Sequence, residues 1–71
     1  MERVTGIERL TLKQQEAIEW LQKNYLLLNI SGVEREANVY PNTLHKWLKN
    51  GRSISLAVAQ RTADWVIGFR A

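Results

Sequence analysis

Apolar residues recur at three- and four-residue spacing in four stretches of this chain, the period that puts them on one face of an α-helix. Ala17, Ile18, Leu21, Tyr25 and Leu28 make the first stretch, and Thr11 stands where an N-cap belongs, so a helix is predicted over 12–27. Off that stripe, Glu19 and Lys23 form an acid-before-base pair four residues apart, the mark of a solvated face. Ser31 and Glu34 then have the spacing of a capping box, with Ile30 before them and Val33 and Ala37 after. The predicted helix is short, about 32–37, because Asn38 follows at once and tolerates the left-handed conformation of a helix-ending turn. Val39 is expected in the core. Pro41 suits a first helical position, and the third helix is predicted over 41–50, closed by Asn50-Gly51. A fourth, over 55–68, begins at Ser53 or Ser55, turns Leu56, Ala59, Ala63, Val66 and Ile67 inward, and weakens at Gly68. Residues 1–10 show no clear period and contain Gly6, which reads as a loosely attached arm with Ile7 and Leu10 tucked against the body.

On a wheel of ~100° per residue, Leu44, Trp47 and Leu48 form the inward face of the third helix. Asn42, Lys46 and Lys49 gather at the opposite pole, with Thr43 and His45 on the flanks. The expected architecture is all-α, a compact bundle of four or five helices in which residues 32–50 make a helix-turn-helix.

Length and composition narrow this picture. At 71 residues there is room for one domain, and no repeat, low-complexity segment or linker divides it. A chain this small buries only ~60% of the surface exposed in its unfolded form, so stability is expected to be thin. Cysteine is absent, which excludes disulfides and thiolate metal sites and leaves packing to hold the fold, with Trp20, Trp47 and Trp65 as its bulky apolar anchors. No apolar run approaches the ~20 residues that span a bilayer, and the charged N-terminus is unlike a signal peptide; a cytoplasmic protein is expected.

Charge changes the picture more. The ten basic residues divide evenly between 1–36 and 37–71, but six of the seven acids lie in the first part, and none occurs between Glu36 and Asp64. Such an asymmetry points to a polyanionic partner. The outward side chains of the third helix have the chemistry for duplex DNA. An asparagine can bond bidentately to adenine, a lysine to guanine or phosphate, and a threonine can meet a thymine methyl or a phosphate oxygen. Asn42, Thr43 and Lys46 are the candidate base contacts. Lys49 and Arg52 are candidate phosphate clamps, aided by backbone amides near Ser31 and Gly32. His45 and Tyr40 complete the candidate DNA-binding set, Tyr40 either touching the DNA backbone or packing on the protein surface.

The run from Ser31 to Ile54 resembles the helix-turn-helix of the Cro/CI and XRE group of phage and bacterial regulators. The resemblance is carried by Val33, Ala37, Asn38, Val39, Leu44 and Trp47, and by the Gly51-Arg52 that follows. It departs from that group at Asn38, where glycine is usual, at Glu34, where a small apolar residue is usual, and at Tyr40, where a serine-like cap is usual. The resemblance implies sequence-specific binding in the major groove by a small phage or mobile-element transcriptional regulator, acting as a homodimer on paired half-sites. Trp65, Val66, Ile67 and Phe69 hold more apolar surface than one helix face can bury and are the expected dimer patch.

Other classes fare less well. The single histidine has no carboxylate close in sequence to share a metal, and no nucleophile, base and orienting group can be assembled, so neither enzyme activity nor a cofactor is expected. The alternative is a helical protein–protein interaction module, an adaptor or virion component, that uses the same fold and the same C-terminal patch on protein.

Overall fold

The computed structural model describes residues 4–71 and is all-α. Its helices are α1 (Leu12–Asn24), α2 (Ile30–Glu36), α3 (Thr43–Asn50) and α4 (Leu56–Arg70), with single 3-10 turns at Ile7–Arg9 and Tyr25–Leu27. Of the residues assigned to an N-terminal arm, Met1, Glu2 and Arg3 lie outside the described residues.

α1 and α4 make the largest helix–helix contact and form the scaffold; α2 packs on α4, and α3 packs on α2. Each starts on a local cap. Thr11 and Gln14 form a reciprocal capping box at α1, and the Ser55 hydroxyl accepts from the Val58 amide at α4. Between the two helices Ala17, Ile18 and Leu21 meet Ala59, Ala63 and Val66, all buried. Three alanines and a valine in this set leave little bulk between the backbones, which permits close packing. Gln14 Nε2 donates to Asp64 Oδ1 at 3.1 Å across the rim of the same contact, and the Glu19–Lys23 pair lies in solvent at 3.9 Å.

Four expectations need correction here. The first helix stops at Asn24, and Tyr25–Leu27 tightens into a 3-10 turn that leaves Leu26 and Leu27 pointing into solvent, 81% and 82% exposed. From residue 4 on, the N-terminal segment is part of the core rather than a loose arm. Val4 and Leu10 are buried, Val4 makes a parallel bridge with Ile54, and the Thr5 amide donates to the Ile54 carbonyl at 2.9 Å. α4 runs through Gly68 to Arg70, because Gly68 points away from every neighbour and nothing there forces a turn. Of the three indoles only Trp47 is fully enclosed; Trp20 and Trp65 are half-buried.

The last point alters the expected dimer patch. Val66 is wholly buried and unavailable to a partner, and Ile67 is half-buried. What remains at the surface is an aromatic group: Trp65 stacks on Phe69 with centroids 4.9 Å apart, Trp20 lies 6.2 Å from Phe69, and the Arg70 guanidinium sits 5.2 Å over the Trp20 ring. Trp65 Nε1 also donates to Glu36 Oε1 at 2.9 Å, tying α4 to the end of α2.

Candidate nucleic-acid interface

The turn after α2, α3 and the turn that follows α3 carry all the candidate DNA-binding residues. α2 begins two residues before the position expected, and its cap is Asn29, whose Oδ1 accepts from the Gly32 amide at 3.3 Å. Ser31 is therefore inside the helix, and the capping box expected between Ser31 and Glu34 does not form. The turn follows the predicted route at its start: Asn38 is left-handed (φ 60) and Val39 is buried, its amide donating to the Glu34 carbonyl at 2.8 Å. From α4, Arg61 Nη1 donates to the Asn38 carbonyl at 3.3 Å and pins the same turn.

The start of α3 differs from expectation. Pro41 and Asn42 lie in a turn, and the helix begins at Thr43, with Asn42 at the N-cap in the left-handed region (φ 71). The reason is Glu34. Its position on α2 falls on the apolar stripe of Ile30, Val33 and Ala37, so its carboxyl is carried inward, 3% exposed, beneath the first turn of α3. Oε1 accepts from the Asn42 amide at 3.1 Å, and Oε2 accepts from the amides of Leu44 at 2.8 Å and His45 at 3.3 Å. The orphan donors that a side chain at the helix's own start would normally satisfy are met by an acid eight to eleven residues upstream. A carboxylate at a helix N-terminus is also favoured by the macrodipole. At the other end, Gly51 turns left-handed (φ 73), and the amides of Gly51 and Arg52 both donate to the Lys46 carbonyl.

α3 turns Leu44, Trp47 and Leu48 into the core and Lys46 and Lys49 into solvent, as the wheel requires. The seven candidate DNA-binding residues divide between two grooves. Tyr40, Asn42, Thr43, Lys46 and Arg52 line one, together with Pro41 and Ser53. His45 and Lys49 face another, on the side of α3 toward Tyr25, Leu26 and Asn29. Tyr40 is 83% exposed, so its ring is not packed on the protein surface. Of the backbone amides near Ser31 and Gly32 expected to aid phosphate contact, that of Gly32 already donates to Asn29 Oδ1.

Glu34 is the residue that pattern reading misses most. The signal was present, an acid on the apolar stripe of a short helix, but its partners lie in the next helix. Arg61 was likewise assigned no role, and its contact with the turn spans 23 residues. Among the described residues, no three His, Asp or Glu side chains gather as a metal site would require, and no helix is long and apolar enough to cross a membrane. No family model, curated protein or solved structure matches this chain.

Proposed function

We propose that this protein binds double-stranded DNA in the major groove through α3, with Asn42, Thr43 and Lys46 at base edges, Tyr40, Lys49 and Arg52 at phosphates, and His45 on the flank. The observation that carries the reading is the charge of this surface. From residue 37 to 63 there is no acid at all, and the one carboxylate beneath α3, that of Glu34, is buried and spent on backbone amides. The exposed side chains of α3 and its flanking turns are thus cationic, amide, hydroxyl or aromatic, all suited to phosphate or base edges.

On this reading α2, the turn and α3 act as a helix-turn-helix of the Cro/CI and XRE type, and the protein is a small phage or mobile-element regulator of transcription. One domain makes few contacts, so it works as a homodimer, with Phe69 and Trp65 in the contact between copies. Selection from a random duplex pool tests the proposal: enrichment of a defined motif is expected, and recovery of no sequence above background overturns it.

A second reading, a protein-binding module, draws on the exposure of Leu26, Leu27 and Phe69. Apolar side chains this exposed suit a protein partner. An adaptor of that kind would bind no duplex and show no steep salt response.

A further inference from the structure

His45 Nδ1 lies 3.4 Å from Glu34 Oε2, the same oxygen that accepts from the Leu44 and His45 amides. An ionised carboxylate only accepts hydrogen bonds, so this contact favours a proton on the ring nitrogen that faces it. In the neutral imidazole that leaves Nε2 as an acceptor. Nε2 finds no partner among the described residues, and it is not enclosed: the side chain is 27% exposed and opens on the groove that holds Leu26 and Lys49.

We infer that Glu34 is a positioning residue that holds neutral His45 as the Nδ1–H tautomer, and that His45 thereby reads a base bearing an exocyclic amino group. In the major groove adenine offers N6–H and cytosine N4–H as donors, whereas guanine and thymine present only acceptor atoms to a hydrogen-bonding partner there. An acceptor-only Nε2 therefore selects A or C at one position of the site. Glu34 touches no base and acts only by fixing which nitrogen of His45 carries the proton, in the manner of the outer partners that fix the tautomer of metal-bound histidines. The inference rests on the duplex-binding reading above, and its two halves are measured separately.

The tautomer is read in the free protein, from the ring nitrogen shifts of His45 by NMR at alkaline pH. The wild type is expected to show the Nδ1–H form, and Glu34→Gln to show loss of that bias. An Nε2–H ring in the wild type overturns the role given to Glu34. Base choice is read by duplex selection. The wild type is expected to enrich A or C at one position, and His45→Ala to lose that preference by roughly fivefold to tenfold there and nowhere else. His45→Ala keeps the α3 cap, so it stays informative even if Glu34→Gln fails to fold. Retention of the A or C preference in His45→Ala overturns the base-reading half. Absence of binding to any duplex overturns the duplex reading and the base preference with it, while the tautomer result still decides what Glu34 does.

Discussion

The two halves of this small fold are held by different physics. The α1–α4 scaffold rests on apolar contact between small residues, and its helices start on caps three residues from the amides they serve, Thr11 with Gln14 and Ser55 with Val58. The α2–turn–α3 unit adds to its buried apolar residues a set of polar contacts that span the fold: Glu34 under the first turn of α3, Arg61 on the turn carbonyl of Asn38, and Trp65 on Glu36. Apolar packing tolerates small adjustments, whereas a buried carboxylate with three amide donors allows one geometry. The unit that presents the candidate interface is therefore the one whose shape is set by specific hydrogen bonds.

Substitutions can separate the halves. Trp47→Ala is expected to have the largest effect, a loss of ~3–5 kcal/mol in urea unfolding, because this ring is the largest fully buried side chain of the core. A wild-type midpoint would place Trp47 outside the core. Glu34→Ala should cost about 2 kcal/mol, since it leaves amides that hydrogen-bond a carboxylate without a partner. Amide exchange then distinguishes the halves. The amides of Leu44 and His45 should lose protection well beyond any change in α1; uniform loss across all four helices would erase the contrast between scaffold and unit.

Asn42 gives a finer test. At φ 71, glycine is free of strain and asparagine is tolerated, while alanine is disfavoured by ~1 kcal/mol. Asn42→Ala should thus destabilise the protein and Asn42→Gly should not, although both remove the amide offered to DNA. Equal melting temperatures for the two would contradict the left-handed cap. A loss of binding in Asn42→Ala alone would report on the turn rather than on base contact, so the glycine variant is the proper probe of recognition. The smallest effect is expected in the scaffold. Thr62 is fully buried in α4 and its hydroxyl has no partner among the described residues, so Thr62→Val should raise stability by up to ~1 kcal/mol, with no change in duplex binding.

Much of the fold was legible in the sequence because its signals are local. Helix periodicity fixed the inward faces of α1, α3 and α4, Thr11 marked a start, and Asn38 and Gly51 marked two left-handed stops. What was not legible is non-local. Ser31 and Glu34 have the spacing of a capping box, yet Asn29, two residues earlier, takes the cap, and Glu34 serves the next helix. Pro41 has the chemistry of a first helical residue, but the pull of Glu34 on the amides of Asn42 and Leu44 sets the start at Thr43. Val4 cannot be placed by period at all, because its partner is Ile54, 50 positions away in the chain. Of the candidate interface, the outward set was readable from the wheel. Its division into two grooves depends on where Tyr25–Leu27 and Arg52–Ser53 pack, which no spacing encodes.

The central claim, that the acid-free face of α3 is a DNA-binding surface, is tested most directly by the salt dependence of binding to a selected duplex, for the wild type and for Lys46→Ala. Each phosphate contact should contribute about 0.9 to the slope of log affinity against log salt concentration. The account predicts a steep negative slope for the wild type and weaker binding by Lys46→Ala at unchanged stability, since Lys46 is exposed and holds no part of the core. A flat slope, or equal affinity of the two proteins at every salt concentration, would contradict it.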